Sequence, residues 1–300
     1  AMRVPLFDPD RILNATIPLF RPIFTVWGFL VWLGLLVSAL VLATLHYAAL
    51  THDVVTQAVA AQNLMLLALV YPAVKLLHEM GHAYATKVWG GDVHEFGLMF
   101  LIFVPLPYVD ASASAAFREK WRRAIVGGAG IMVELTLAAI AMIVWVNAEA
   151  GLVRALALNV MLIGGVSTLV FNGNPLLRFD GYYIFQDLIE IPNLGARANR
   201  YFFYVVQRYL FGAHTVESPA THPGERRWLL GYSVLAGFYR VGVTLGIAVF
   251  VATAFFFVGV AIGVWVLCSA FVFPLAKGLA YLAFTEAWER FSYYRSEEHT

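Results

Sequence analysis

Two histidines stand four residues apart, with a glutamate beside the first, in His78-Glu79-Met80-Gly81-His82. On an α-helix, positions i and i+4 share a face, so both imidazoles can reach one ion. Glu79, adjacent to the first of them, can take a proton from a water that the ion activates. Zinc suits imidazole ligands and brings the pKa of its bound water to about 7. Histidine is scarce here, 8 in 300 residues, and an accidental match to this pattern is on the order of one in a hundred. Cys268 is the single cysteine, which excludes a disulfide framework and a cysteine-rich zinc site. A metal must therefore be held by histidines and carboxylates.

A catalytic zinc needs a third protein ligand and keeps a fourth position open for water. Glu134, Asp110 and Asp180 are the carboxylates placed to serve, and residue type leaves the choice among them open. Asp180-Gly181 is equally an ordinary turn pair, and Asp110 an ordinary capped turn. His46 and His52 read as interfacial residues and His94 as a loop histidine. Gly127, Gly128, Gly130, Gly164 and Gly165 suit close helix packing; a phosphate loop would need a soluble strand-to-helix context that is missing.

The elements that must position these residues are apolar. The chain is 61% hydrophobic and 13% charged, with a mean hydropathy of +0.74, where soluble domains hold about 45–50% and about 25%. A larger core cannot absorb the excess, because a domain of this length still needs a polar surface. Lipid is the fitting solvent. A net charge of +1, with no basic cluster interleaved with aromatics, excludes a nucleic-acid partner. About 20 apolar residues cross the hydrocarbon core, which predicts six helical spans: Phe24–Leu50, Leu64–Trp89, Ala124–Val146, Leu152–Phe171, Trp228–Phe250 and Val258–Tyr281. The turn between the last two is expected at Phe255–Phe257. The fold class is an all-α polytopic membrane protein.

Basic residues gather in alternate segments: Arg3, Arg11 and Arg21; Lys87, Arg118, Lys120, Arg122 and Arg123; Arg178 through Arg227; then Lys277, Arg290 and Arg295. By the positive-inside rule both termini are cytoplasmic, and the histidines lie toward that side. The organisation expected is an N-terminal cytoplasmic segment over 1–21, an integral membrane domain over 22–291 with its metal core at roughly 60–190, and a polar tail or truncation point over 292–300. Gly90–Ala116 mixes glycine, proline and the β-prone run Phe96–Val104, as a β-hairpin or re-entrant loop would. The same run could offer an edge for strand addition to a substrate. Tyr182–Phe211 alternates aromatic and charged residues like an interfacial amphipathic segment.

Taken with Gly90-Gly91-Asp92 through Gly97 and with Asn174-Pro175 leading to Asp180-Gly181, the His-Glu motif resembles the site-2 protease clan of intramembrane zinc metalloproteases. Asn174 through Tyr183 is similar to the bacterial branch of peptide zinc metalloproteases, some members of which accompany peptide-modification or export systems. The resemblance implies one zinc per chain, held by His78, His82 and Asp180, with Glu79 catalytic. It implies that Asn174, Pro175 and Asn172 help hold substrate or the oxyanion. It also implies a peptide or transmembrane-helix substrate and a place in the bacterial inner membrane. One element departs from the family's Gly-Pro-x-x-Asn: here Ile131 stands for the proline and Glu134 for the asparagine. Glu134 can orient a ligand histidine, join the metal, or pair with Lys75 or Arg240. The competing readings are a transport or export component that retains a zinc site, and a zinc hydrolase acting on a lipid or small amide.

Overall fold

The computed structural model describes residues 2–57, 60–101, 104–210, 212, 217–273, 276 and 280. Helices dominate. Among the described residues, five are long and apolar enough to cross a membrane: Val26–Leu45, Asn63–Val88, Lys120–Asn147, Leu152–Asn172 and Glu225–Thr253. Each overlaps one of the first five predicted spans. A sixth apolar helix, Phe256–Ala270, is shorter, and most of the remaining predicted span to Tyr281 lies outside the described residues, as does the tail over 292–300.

The chain divides into two units, Ala1–Glu190 and Ile191–Thr300. The first holds every candidate ligand. It begins with strand β1 (Met2–Phe7) and helix α1 (Asp10–Phe20), followed by α2 (Val26–Leu45), α3 (Tyr47–Gln57) and α4 (Ala61–Val88). Strands β2 (Phe96–Leu101) and β3 (Val104–Val109) precede α5 (Lys120–Asn147). Helix α6 (Leu152–Met161) continues in wider π-type turns over Leu162–Asn172, and α7 (Asp180–Ile189) closes the unit. Helix α5 lies at its centre, packed against α2, α4, α6 and α7.

Local chemistry sets the helix ends. Thr25 caps α2 by accepting from the Gly28 N–H at 3.2 Å. The single span predicted over Phe24–Leu50 breaks at His46, whose Nδ1 sits 3.1 Å from the Leu42 carbonyl, and α3 follows as a separate helix. Helix α4 stops at Gly90, which takes a φ of +82° that disfavours any side chain. The amides of Gly90 and Gly91 then return to the carbonyls of Lys87 and Thr86, each at 3.0 Å. This Schellman arrangement satisfies carbonyls that the helix end would otherwise leave unpaired.

The expected hairpin is present as β2 and β3, but it belongs to a three-stranded antiparallel sheet in the order β1-β2-β3. The N-terminal segment supplies the third strand. Its Pro5 is tolerated because β1 is an edge strand. This arrangement corrects the idea of strand addition along Phe96–Val104: β2 is hydrogen-bonded on both sides and has no free edge. At the outer edge of β3, Pro105 and Pro107 offer no N–H. The amide of Val109, in the same phase, is taken by Glu79 at 3.1 Å.

Helix α1 is fastened to α4. Leu13 is fully buried with Ala83 and Val93, Phe20 stacks on Tyr84 at 3.9 Å between ring centroids, and Thr16 shares a 2.8 Å hydrogen bond with the Tyr84 hydroxyl. Lys87 Nζ reaches Asp10 at 2.7 Å and Asp92 at 3.1 Å. At the other end of the bundle Asp53 accepts from Trp145 at 3.2 Å and from Arg154 at 3.0 Å.

The second unit comprises α8 (Leu194–Val205), α9 (Glu225–Ala254) and α10 (Phe256–Leu267). Arg197 pairs with Glu225 at 2.5 Å and fixes the start of α9 on α8. The break between α9 and α10 falls at Phe255, within the predicted turn. The predicted interfacial stretch Tyr182–Phe211 resolves into α7 and α8, separated by positive φ angles at Glu190 and Asn193.

Candidate metal centre

Helix α4 presents Lys75, His78, Glu79 and His82 on neighbouring turns, as their spacing requires. Against this face α5 sets one stripe of its own at positions i, i+4 and i+8. Its three residues perform three tasks. The Val126 carbonyl lies 2.7 Å from His82 Nδ1. A Cβ at Gly130 would run into the rings of both His78 and His82. Glu134 Oε1 lies 3.1 Å from His78 Nδ1, off the line that an ideal N–H···O bond prefers. Both imidazoles therefore turn their Nε2 atoms inward. Gly81 permits the close approach, because a Cβ there would meet the Ala129 carbonyl at 2.9 Å.

Asp180 arrives from a later part of the chain, at the start of α7 packed on α5. The π-type turns end at Asn172, and the loop returns so that Gly181 packs on the backbone of Gly173, where a Cβ would sit 2.5 Å from the carbonyl carbon. Asn174 Oδ1 accepts from the Leu176 N–H at 2.8 Å and shapes this loop. Asp180 then opens α7 in its first turn, where a carboxylate is favoured by the helix dipole.

Three ligand atoms meet. His78 Nε2 is 3.1 Å from His82 Nε2 and 3.0 Å from Asp180 Oδ2, while His82 Nε2 is 3.6 Å from the same oxygen. Tetrahedral ligands at 2.0–2.1 Å from zinc stand about 3.3 Å apart, so the spacing fits a small ion with tetrahedral preference. A cation shared among them would satisfy all three atoms at once. His78, His82 and Asp180 form the one such cluster among the described residues. The residues present thus fit a metal ion held by two nitrogens and one oxygen, with one tetrahedral position left over.

The remaining candidates take other places. Glu134 is fully buried but is not part of the ligand cluster. Its Oε1 receives Lys75 Nζ at 2.5 Å. Its Oε2 receives the Thr168 hydroxyl and, at 2.9 Å, the Asn172 amide. Asn172, expected to help hold substrate or the oxyanion, directs its Nδ2 to Glu134. Asp110 is exposed and caps a turn through the Ser112 N–H at 3.0 Å. His94 is exposed and pairs with Asp8 at 3.0 Å, and Arg240 donates to the Ala236 carbonyl of its own helix. Of the residues that carry the arrangement, Val126, Thr168 and the Val109 amide carried no signal in the sequence, since backbone groups and a lone threonine look alike everywhere. The chain matches no protein-family model, no curated protein and no solved structure.

Proposed function

We propose that the chain is a zinc-dependent peptidase of the membrane, with His78, His82 and Asp180 as ligands and Glu79 as the catalytic base and acid. The observation that carries this reading is the tetrahedral spacing of three ligand atoms with Glu79 on the same helical face, on a helix apolar enough to span a membrane. Three protein ligands support a catalytic over a structural ion, because structural zinc closes its fourth position with protein.

When bound, zinc would supply Lewis acidity, making a water nucleophilic near neutral pH and polarising the scissile carbonyl. The chain's own part is to direct protons and geometry. The Val109 N–H holds Glu79 Oε2 at 3.1 Å, which leaves Oε1 to accept a proton from the attacking water. The water oxygen bonds to the carbonyl carbon, the C–N bond breaks, and Glu79 delivers its proton to the departing amine nitrogen. The Val126 carbonyl and Glu134 keep the two rings turned so that Nδ1 faces protein and Nε2 faces the ion. A helical substrate must unwind locally for its carbonyl to reach this point. The substrate class fitting a centre at membrane depth is a membrane-embedded or membrane-associated peptide. The proline-interrupted edge of β3 leaves side-chain and loop contacts to hold it.

Glu79→Gln tests the reading. The variant should bind zinc with the wild-type stoichiometry of one per chain and lose peptide cleavage in membranes. It should also cause an uncut peptide to accumulate when membrane fractions are compared by proteomics. Full cleavage by Glu79→Gln, or a wild-type chain with no zinc, would sink it.

A further inference from the structure

We propose that Glu134 is a positioning residue that ties together the two halves of the metal centre, with Lys75 as its built-in counter-charge. The inference rests on the zinc reading above and extends it. His78 and His82 come from α4, whereas Asp180 comes from a loop that leaves the π-type end of α6 at Asn172. These parts stay in register through tertiary contacts, in which α5 packs on both α4 and α7.

Glu134, on α5, is placed to link them, and its two oxygens divide the work. Oε1 serves the α4 side, meeting Lys75 Nζ at 2.5 Å and standing 3.1 Å from His78 Nδ1. Oε2 serves the other side, accepting from Thr168 and from Asn172 Nδ2 at 2.9 Å. Asn172 is the last residue before the loop, and its carbonyl and Gly173 form the surface on which Gly181 rests. One carboxylate thus reaches from a ligand ring to the footing of the third ligand. Thr168 and Asn172, four residues apart, face Glu134 together, and the Thr168 hydroxyl oxygen also lies 3.0 Å from the Ile163 carbonyl five residues back.

Lys75 explains how such a carboxylate is tolerated. A fully buried charge needs a partner, and Lys75 lies on α4 one turn before His78. Because Lys75 and His78 approach the same oxygen, the ammonium limits how much negative charge Glu134 lends to the ligand ring. The rival account is an ion pair that merely stabilises the bundle.

The test uses the full chain in detergent, with Lys75→Met, Glu134→Gln and the double variant. Three readouts are taken: thermal unfolding of the metal-free protein, zinc affinity by competition with a chromophoric chelator, and the visible absorption spectrum after loading with cobalt. Lys75→Met alone should be the least stable, because it strands the carboxylate. The double variant, which removes both charges, should unfold near the wild-type temperature. It should nonetheless bind zinc about 10- to 100-fold more weakly and give an altered cobalt spectrum. Wild-type affinity and spectrum in a stable double variant would overturn the proposal and leave only an ion pair. Should the double variant fail to fold, Asn172→Leu keeps both charges and severs only the Asp180 side. A loss of zinc affinity of about tenfold is expected there, and unchanged affinity would overturn the proposal equally. A wild-type chain without zinc overturns the metal reading and this inference together; zinc-binding wild type with unaltered variants overturns this inference alone.

Discussion

Gly130→Ala is a small change with an outsized expected effect, and it separates helix propensity from metal geometry. Within a helix interior alanine is favoured over glycine by about 0.8–1.0 kcal/mol, so by propensity alone the variant should be more stable. The structure predicts otherwise at this position. A Cβ built on Gly130 falls 2.5 Å from the Nε2 atoms of both His78 and His82. Restoring ordinary contact requires the rings or the helix to move by about 1 Å. Overpacking of this kind costs about 1–3 kcal/mol, which the propensity gain partly offsets, so net stability should fall by no more than about 2 kcal/mol. Coordination is far less forgiving, since a metal–ligand distance tolerates about ±0.2 Å. Zinc affinity should therefore fall by at least about 100-fold, comparable to what misplacement by 1 Å costs a catalytic constellation. Gly231→Ala, on α9 with nothing within 4 Å of its Cβ, supplies the control that should gain stability and keep its zinc. Chelator competition and thermal unfolding on both variants give the answer. Wild-type zinc affinity in Gly130→Ala would refute the placement of the histidines against α5.

Two further outcomes are expected. Gly181→Ala pushes a methyl group into the backbone of Gly173, 2.5 Å from its carbonyl carbon, and should displace Asp180. Zinc affinity should then approach that of Asp180→Ala, measured by the same competition, with the His78–His82 pair still able to bind weakly. Acid should release the N-terminal segment: the hydrogen bond from Lys87 holds the Asp10 carboxyl below its ordinary 3.8. A depressed carboxylate contributes stability above its unfolded-state pKa and loses it as pH falls through the folded one. Docking of α1 should persist at neutral pH and weaken below 3.8, read as pepsin cleavage within residues 8–20. Lys87→Met should expose the same segment at higher pH, and identical cleavage profiles for the two chains would refute the role given to this pair.

The parts of the fold legible in the sequence were those governed by a strong local rule. Hydropathy places five helices within a few residues of where they lie, because a span must be long, apolar and uninterrupted. His78 and His82 were legible for the same reason, since four residues on a helix bring side chains to one face. What escaped was set by tertiary contact. Strand β1 carries Pro5 and little alternation, and it is a strand because β2 offers it an edge. His46 breaks the first span although its apolar neighbours run on. Asn172 illustrates the limit at the site: its residue type announces hydrogen bonds, yet only packing against α5 decides that its Nδ2 goes to Glu134. Glu134 itself was visible as an oddity, a carboxylate in an apolar helix, with Lys75 among its candidate partners. Its division between a histidine and an asparagine required the helices to be brought together.

The charges of the cluster balance in a definite way. With neutral imidazoles, the site gathers three carboxylates, Glu79, Glu134 and Asp180, and one ammonium, Lys75. Their sum in ordinary ionisation is two negative charges, which a divalent cation cancels. An apolar medium penalises net buried charge heavily, so a divalent cation would offset the two excess negative charges of the cluster. Removing Lys75 or Glu134 alone unbalances the sum by one unit, whereas removing both preserves it. A neutral side chain at position 134 would need no lysine at position 75, so the two buried charges belong together in electrostatic terms. The pair then adds what a neutral side chain at position 134 would not: a carboxylate with one oxygen beside the His78 ring and the other holding the approach to Asp180.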